Sequence, residues 1–321
     1  MDQAQLRRIG AGFCGTVWAT SERGSAFKRE DGGPHRSLLH DFRTHQHIQH
    51  CVHQRSDLEG TGYSISIPLC YGFIKPTDDW GIENLARFPK GYEPCNTIHM
   101  QRIPPMPEAT RRLLTERYCP SSLISEILNS DTNRDCLIRP YLGRRRIPTA
   151  SASSRFKAFS LRNYPLHVDQ MEEIGVPEND ILGYARTMAK TLAQLHWIAQ
   201  VDGNDVEFVL ASPNEELTGT RKSSQPWSNI LGSHEMWILD FDLAREMTMD
   251  EEGIQQAANA FTKNDPYYPR PDGGSPLWIA FREQYLVTSR DCLQSHANKT
   301  LTQLPLNFIH LVEKLNEAND H

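Results

Sequence analysis

Two short segments of the sequence carry carboxylates at an unusual density. The five acids are Asp202, Asp205, Glu207, Asp240 and Asp242. Apolar runs at 208–210 and 236–239 adjoin them, and runs of that length are typical of strands, so we expect the two segments to converge on one cleft. Crowded carboxylates raise the pKa values of some members and favour a bound cation. That cation is either Mg²⁺ or a guanidinium, whose planar fork of N–H donors matches paired carboxylates.

A glycine-rich motif lies near the start of the chain. Residues 9–17 read I-G-A-G-F-C-G-T-V, which places Gly10, Gly12 and Gly15 in the pattern G-x-G-x-x-G-x-V between two predicted strands. Glycine at these positions lets the backbone approach a phosphate, because no Cβ stands in the way. Eleven residues after Val17, Lys28 ends the triplet Ala-Phe-Lys. The alternative interpretation is a tight hairpin followed by a surface lysine.

These features occur in the order found in protein kinases. Lys28 resembles the lysine on the third strand of that family, and residues 100–103 lie where a hinge would join two lobes. Segment 202–207 resembles H-R-D-x-x-x-x-N, with Asp202 on the catalytic base and Glu207 on the metal-binding asparagine. Residues 237–245 resemble the strand that leads into D-F-G, with Asp240 on the metal-binding aspartate.

The kinase resemblance implies an α+β fold class, namely a degenerate protein-kinase-like fold of two lobes. A small β-rich N-lobe would span 1–103 and a larger, mainly helical C-lobe would span 104–321, with a basic insertion at 137–167. Hydrophobic periodicity predicts the individual elements. They are a three-stranded meander at 5–29, strands at 65–72, 97–103, 208–210 and 236–239, and helices at 36–53, 178–199, 251–262, 276–289 and 305–317.

Departures from the kinase pattern do not favour ordinary phosphoryl transfer. Gln200 and Val201 replace the His-Arg pair, Glu207 replaces the asparagine, and Asp242 replaces the glycine of D-F-G. We therefore interpret the glycine-rich motif, together with Lys28, as a vestigial phosphate loop. A noncatalytic binding module with a solvated acidic cleft is an alternative, because a fold by itself does not fix an activity.

A basic segment interrupts the otherwise acidic chain. Between residues 137 and 167 there are seven basic residues and no acidic one: Arg139, Arg144, Arg145, Arg146, Arg155, Lys157 and Arg162. Aromatic residues are interleaved with them, so the segment could hold a phosphate backbone and stack on unpaired bases. A solubilising face is the alternative. The net charge of −6 argues against an indiscriminate nucleic-acid binder, and DNA is not a predicted partner.

Cysteine usage and hydropathy bear on the compartment. The seven cysteines are odd in number and include no Cys-x-x-Cys pair, which is typical of reduced thiols in the cytosol and not of a zinc ribbon. No stretch approaches the roughly 18–20 apolar residues that a membrane span needs, and the first residues lack a signal-peptide pattern. We expect a cytoplasmic protein without a membrane partner. His47, His50 and Cys51 have helical spacing that could hold a metal, but a packing role is favoured and no metal is predicted.

Longer stretches of the chain resemble a fungal family. The segments that carry the resemblance are His196-Trp197 and residues 136–143, 205–210, 237–242 and 264–271. Together they resemble a group of kinase-like proteins that carry the description zinc finger protein, a group that the arginine-containing cyclodipeptide synthases resemble. The sequence shows no Cys₂His₂ spacing that would support zinc binding.

This resemblance implies an aminoacyltransferase that acts in natural-product biosynthesis. The enzyme would use arginyl-tRNA and a second aminoacyl-tRNA and release a cyclo-Arg-Xaa diketopiperazine, with no cofactor, since each tRNA ester is already activated. Asp202 and Glu207 would transfer protons, and Asp205, Asp240 and Asp242 would hold the arginine guanidinium. The seven basic residues of 137–167 would bind tRNA.

Two alternatives to this reaction stay open at this point. One is an ATP-dependent phosphotransferase with altered kinase motifs, and the other is the noncatalytic module. Whether the synthase would form an aminoacyl-enzyme is also open. Cys14, Ser37 and Ser212 are possible nucleophiles, although a structural role is favoured for each.

Overall fold

A computed structural model describes residues 4–20, 24–33, 36–56, 65–146, 159–213, 226–272, 274–294 and 299–319. The protein is a mixed α+β structure with a β-rich N-terminal region and a helical C-terminal region. The sequence also predicts loops in the Ser/Thr-rich stretch 149–154 and the Gly/Ser/Thr-rich stretch 213–225; apart from residue 213, both stretches lie outside the described residues.

The N-terminal region is built on a five-stranded antiparallel sheet in the order β1-β2-β3-β5-β4. Its strands are β1 (Arg7–Ala11), β2 (Thr16–Ala19), β3 (Ser25–Arg29), β4 (Cys70–Ile74) and β5 (Thr97–Gln101), and helix α1 (Leu38–Ser56) lies between β3 and β4 in the chain. Trp18 and Phe27 are buried with Leu6 and Phe88 in one cluster, and Leu38 and Ile98 belong to another. The predicted meander at 5–29, the strand at 97–103 and the first helix are confirmed.

The strand predicted at 65–72 is only partly present. Ser66 forms an isolated bridge to Trp237, and β4 does not begin until Cys70. Pro68 lies between them and has no backbone N–H to donate to a ladder, which accounts for the break.

A second five-stranded sheet has the order β7-β6-β8-β10-β9. Its strands are β6 (Ile138–Tyr141), β7 (Tyr164–His167), β8 (Glu207–Ala211), β9 (Trp227–Asn229) and β10 (Gly232–Leu239). Strands β8 and β10 are antiparallel, and Leu239 stands opposite Glu207. The start of β8 and the end of β10 therefore lie side by side, which brings the segments 202–207 and 240–242 together as the sequence predicted.

Helices pack around this second sheet. Their bounds are α2 (Asp79–Glu83, in the N-terminal region), α3 (Glu108–Tyr118), α4 (Ile124–Asn129), α5 (Val168–Ile174), α6 (Glu178–Gln194), α7 (Glu251–Lys263), α8 (Pro276–Leu293) and α9 (Lys299–Asn319). Helix α6 buries Ile181, Ala185, Met188 and Leu192 at the predicted spacing. It continues into a π-helical turn, Leu195–Ala199, and ends at Gln200, whose φ is 53°.

Three later helices were predicted and are confirmed, with one difference in length. Helix α9 begins at Lys299, six residues before the predicted start, and contains Pro305. Pro305 lies inside the helix, beyond its first turn, and therefore removes one i→i−4 backbone hydrogen bond of α9. Within the described residues, no helix combines the length and the apolarity that crossing a membrane requires.

Candidate active site

A cavity of about 600 Å³ separates the two sheets. This volume lies within the usual range for sites that bind small molecules. Its walls are the glycine-rich hairpin between β1 and β2, strand β3, the segment that follows β5, and the two acidic segments. Four of the five acids singled out in the sequence line it: Asp205, Glu207, Asp240 and Asp242.

The glycine-rich motif forms the turn between β1 and β2. The backbone N–H of Gly12 donates to the carbonyl oxygen of Gly15 at 2.8 Å. A Cβ on Gly15 would lie 1.8 Å from the carbonyl oxygen of Arg29, whereas a Cβ on Gly12 would meet no atom of the described residues within 4 Å. Packing of the hairpin against β3 thus explains why glycine is needed at Gly15, and open space above Gly12 leaves room for a ligand.

Lys28 joins three elements at the floor of the cavity. Its Nζ donates to Asp41 Oδ2 on α1 at 2.6 Å and to Asp240 Oδ1 after β10 at 2.8 Å. Burial by itself would lower the pKa of Lys28, but the charges of Asp41 and Asp240 outweigh it and hold that pKa well above its usual value. Asp41 Oδ1 also accepts a hydrogen bond from the backbone N–H of Phe241. Asp41 therefore fixes both the lysine and the segment that carries Asp240 and Asp242.

Asp242 is the most deeply buried acid in the cavity wall. Its side chain is 2% exposed, and burial followed by the charge of Asp240 raises its pKa. Its Oδ2 accepts a hydrogen bond from Arg36 Nη1 at 2.7 Å, and the same Nη1 lies 3.5 Å from Asp205 Oδ2. Asp242 Oδ1 is buried and lacks a hydrogen-bond partner in the part of the chain that the structure describes. Such an acceptor is costly to bury.

Glu207 is paired with an arginine inside the cavity. Arg139 Nη2 lies 2.6 Å from both carboxylate oxygens of Glu207. Burial raises the pKa of Glu207 to about 7, because the loss of hydration outweighs the attraction of Arg139. Burial also raises the pKa of Asp205, and the charge of Asp240 adds to that effect. Near neutral pH, Glu207 is therefore suited to accept or to release a proton.

Asp202 does not share this position. It is buried outside the set of residues that line the cavity. Its Oδ1 accepts hydrogen bonds from the backbone N–H groups of Asn204 and Arg245, and its Oδ2 accepts one from Gln256 Nε2 at 2.9 Å. These bonds hold the loop before β8, so the structure corrects the predicted place of Asp202 among the acids of the cavity, while its proton-transfer role stays a prediction.

Replacement of Asp202 by asparagine tests that role. Asparagine keeps one acceptor oxygen but loses the charge, so we expect the free energy of unfolding to fall by about 1–2 kcal/mol. The rate at which the predicted diketopiperazine forms should stay within about 10-fold of the wild-type rate. Urea unfolding and the product assay described below measure the two quantities. A folded Asp202→Asn protein with no activity would support Asp202 as a proton-transfer residue.

The loop that carries Asp205 is braced from a distant segment. Asn264 Oδ1 accepts a hydrogen bond from the backbone N–H of Asp205 at 2.6 Å, and Asn264 Nδ2 donates to the carbonyl oxygen of Gly203 at 3.0 Å. Gly203 and Asp205 have φ values of 65° and 61°. This strained turn places Asp205 on the cavity wall, and Asn264 stabilises it.

Within residues 137–146 and 159–167, the part of the basic segment that the structure describes, the arginines do not form one continuous cationic surface. Arg139 lies in the cavity wall, apart from the other basic residues of the segment, and its role in binding tRNA stays a prediction. The next three arginines bind acids of the protein itself: Arg144 pairs with Asp265, Arg145 with Glu172, and Arg146 with both Asp169 and Glu173. Arg162 is partly buried beside β7, and Arg155 and Lys157 lie outside the described residues.

Several cavity residues were not predicted from the sequence. Arg36 precedes α1, and Arg102 follows β5, where its Nη2 donates to Asp135. Arg7 also pairs with Asp135. Sequence patterns assigned Arg102 only a place in the possible hinge and assigned Arg36 no role. The available signal was charge balance, because five acids beside Lys28 would require further cations.

The predicted nucleophiles and the histidines of α1 have structural surroundings. Cys14 lines the cavity, but burial raises the pKa of its thiol to about 12, which disfavours the thiolate. Ser212 Oγ donates to the carbonyl oxygen of Pro105, and His47 Nε2 lies 2.8 Å from the carbonyl oxygen of Ala199. Across the described ranges, no group of three or more His, Cys, Asp and Glu side chains could hold a metal ion.

Comparison with known proteins gives one match. The model of the family DUF3669, described as zinc finger protein, matches residues 236–297, which is less than half of the chain. No curated protein matches. The match is to a zinc finger protein family, so the predicted resemblance to the arginine-containing cyclodipeptide synthase family is wrong. The matched segment contains a single cysteine, Cys292, and a single histidine, His296, too few for a four-ligand zinc site of its own.

Proposed function

We propose that the cavity is the active site of an aminoacyl-tRNA-dependent transferase. This enzyme would join an arginyl group to a second aminoacyl group and release a cyclo-Arg-Xaa diketopiperazine. The observation that carries this proposal is the pair Asp205 and Asp242, which already holds a guanidinium, that of Arg36. Carboxylates that hold one guanidinium in a largely buried site have the charge and geometry to hold another.

We further propose that the two regions form the lobes of a degenerate protein-kinase-like fold. The strand order β1-β2-β3-β5-β4, with α1 following β3, supports this assignment. The ion pair between Lys28 on β3 and Asp41 on α1 also supports it, because kinases pair the lysine of the third strand with a glutamate of the corresponding helix. In this fold the cavity corresponds to the cleft between the lobes.

The substrate arginine would bind at the buried end of the cavity. Asp242 Oδ1 is an acceptor without a partner among the described residues, and a guanidinium N–H would satisfy it. Asp205 is the second acid of this end, and its carboxylate is 51% exposed. Asp240, which also lines the cavity, is bound to Lys28. Asp242 and Asp205 therefore supply most of the carboxylate oxygens that could accept hydrogen bonds from a substrate guanidinium.

Glu207 would transfer the protons of the reaction. As a carboxylate it takes a proton from the attacking α-amine, whose nitrogen forms a bond to the ester carbonyl carbon of the other aminoacyl-tRNA. The bond from that carbon to the ribose oxygen breaks, and protonated Glu207 returns the proton to the leaving oxygen. A second attack, by the remaining α-amine on the remaining ester, closes the six-membered ring. A group with a pKa of about 7 suits both transfers at neutral pH.

Binding of tRNA would require a change of partners on the surface. The side chains of Arg144 and Arg145 are 62% and 60% exposed. Exposed ion pairs contribute only about 0–1 kcal/mol, so phosphates could replace Glu172 at little cost. Asp265 is 18% exposed, and it would keep Arg270 as a partner if Arg144 left it. Binding of this kind should weaken steeply as salt increases.

A phosphotransferase is the second candidate, favoured by the ion pair of Lys28 with Asp41 beneath the glycine-rich hairpin. In this chain, the two acids at the positions that bind Mg²⁺ in kinases are already paired with cations of the protein itself. Asp240 is bonded to Lys28, and Glu207 to Arg139. Nucleotide binding would have to displace both cations from these acids, whereas guanidinium recognition at Asp205 and Asp242 would have to displace one cation, Arg36.

One experiment separates the candidates. The purified protein is incubated with arginyl-tRNA and a mixture of other charged tRNAs, and in parallel with ATP and Mg²⁺. We expect an arginine-containing diketopiperazine that forms without ATP and disappears after ribonuclease treatment. Asp242→Asn should reduce product by at least about 100-fold, because it removes a charged partner of the guanidinium. Asp79→Asn, an exposed acid in α2, is the matched control and should have no effect.

Two results would overturn the proposal. The first is phosphoryl transfer from ATP without any diketopiperazine, which would establish the second candidate. The second is full product formation by the Asp242→Asn protein, which would show that the substrate guanidinium does not bind at Asp242.

A further inference from the structure

Arg36 lines the cavity and connects the two regions there. It immediately precedes α1, and its guanidinium lies between the ring of Phe13 on the glycine-rich hairpin, 5.6 Å from the ring centroid, and Asp242 of the C-terminal region. Its side chain is 19% exposed, although Phe13 itself is 80% exposed. Arg36 is thus a partly buried cation that covers the most deeply buried acid of the site.

The contact is stronger than a surface ion pair. Asp242 is nearly inaccessible to water, so the bond from Arg36 Nη1 to Oδ2 replaces hydration that the carboxylate has lost. Other charged groups also act on Asp242. Asp240 repels it, and Lys28 attracts it while being bonded to Asp41 and Asp240. If Arg36 left without a substitute, the more distant Lys28 would be the remaining cation that acts on Asp242 among the residues that the structure describes.

We propose that Arg36 is a specificity-determining residue that occupies the guanidinium subsite until a substrate guanidinium displaces it. A neutral ligand cannot replace the lost charge and N–H donor at Asp242, so the exchange selects for a cationic group with several N–H donors. The ligand class is therefore a monoalkyl guanidinium, as in an arginyl group. The assignment of that guanidinium to an acyl donor rests on the proposed function, whereas the displacement of Arg36 does not.

Direct binding measurements test this role without requiring catalysis. Arginine amide and its neutral isostere citrulline amide are titrated into the wild-type protein and into Arg36→Ala and Arg43→Ala variants, and binding is followed by calorimetry. Arg43 is an exposed arginine on α1 and serves as the matched control for lost charge. Arg36→Gln, which keeps a polar side chain of moderate length, is the second variant if the alanine protein does not fold.

We expect Arg36→Ala to bind arginine amide at least about 10-fold more tightly than the wild type, because a charge-assisted hydrogen bond no longer competes. Arg43→Ala should bind like the wild type, and citrulline amide should bind weakly to every variant. The displacement should also be visible in the wild type as a loss of affinity for arginine amide relative to Arg36→Gln.

Each other outcome overturns the inference in a distinguishable way. Equal affinity of the wild type and Arg36→Ala would show that Arg36 does not compete, while leaving the guanidinium subsite of the proposed function in place. Weaker binding by Arg36→Ala would make Arg36 part of the ligand site. If no variant bound arginine amide, or if citrulline amide bound equally well, both the guanidinium subsite of the proposed function and the proposed role of Arg36 would be contradicted.

Discussion

Replacing Glu207 by glutamine should lower kcat for diketopiperazine formation by at least about 100-fold. Glutamine keeps the shape of the side chain and an oxygen that can accept from Arg139, but it cannot take up or release a proton. The measurement is initial rate against concentration of charged tRNA, so that kcat and KM are separated. Substrate binding should change little, because the proposed guanidinium subsite at Asp205 and Asp242 is left intact.

The pH dependence gives an independent check on this role. The wild-type rate should depend on a group with a pKa of about 7, and Glu207→Gln should lose that dependence. Stability should respond as well. The folded-state pKa lies above the ordinary value of 4.5, so the stabilising contribution of Glu207 is fully present below pH 4.5 and is lost as pH rises through 7. Relative to the wild type, Glu207→Gln should therefore gain thermal stability between pH 5 and pH 8.

A matched control separates the role of Glu207 from a general effect of charge. Glu116 on α3 has a side chain that is 57% exposed, and Glu116→Gln should leave both the rate and its pH profile unchanged. If Glu207→Gln kept more than a tenth of the wild-type kcat with an unaltered pH profile, another group would have to carry the protons.

Local patterns in the sequence were sufficient to predict the frame of the site. Alternation of apolar residues predicted the β1–β3 meander, and helical spacing predicted α6. Apolar runs after Asp202 and before Asp240 predicted two strands whose ends would meet. Strands β8 and β10 do pair in that way, with Glu207 opposite Leu239, so four of the five acids share a wall of the cavity.

The arginines of the cavity could not be predicted in this way, because their contacts are distant in sequence. Arg36 is 206 residues from Asp242, and Arg139 is 68 residues from Glu207. Hydrophobic periodicity reports which face of an element is buried, but it contains no information about which surface charge reaches across a cleft. The basic pattern of 137–167 and the family resemblance led to the prediction that Arg139 binds tRNA, and neither could indicate that β6 carries it into the cavity wall.

Motif spacing did not predict that Asp202 lies outside the cavity lining, because spacing ignores the path of the backbone. The residues at 203 and 205 adopt positive φ angles, so the loop turns Asp202 toward Arg245 and Gln256 and leaves Asp205 on the cavity wall. Helix α3 and strand β6 were also missed. The sequence of α3, EATRRLLTERY, has few apolar residues, and β6 contains a proline, which weakens a strand prediction.

Replacing Asp41 by alanine should lower the free energy of unfolding by about 3 kcal/mol. Asp41 is 3% exposed and accepts hydrogen bonds from Lys28 Nζ and from the backbone N–H of Phe241. Its loss would leave the buried ammonium of Lys28 with Asp240 alone and the amide of Phe241 without this acceptor. Urea unfolding followed by circular dichroism measures the change. Asp131→Ala, which removes a carboxylate that is 78% exposed, should cost less than about 1 kcal/mol.

A double variant shows where the penalty for losing Asp41 arises. If the cost comes mainly from the buried charge of Lys28, then Lys28→Met combined with Asp41→Ala should recover a large part of the lost stability, because no ammonium remains to be compensated. If the cost comes from the bond to Phe241, the double variant should be no more stable than Asp41→Ala. A single variant that loses less than about 1 kcal/mol would contradict the prediction outright. In that case Asp41 would not fix the segment carrying Asp240 and Asp242, and α1 would not control the shape of the acidic wall.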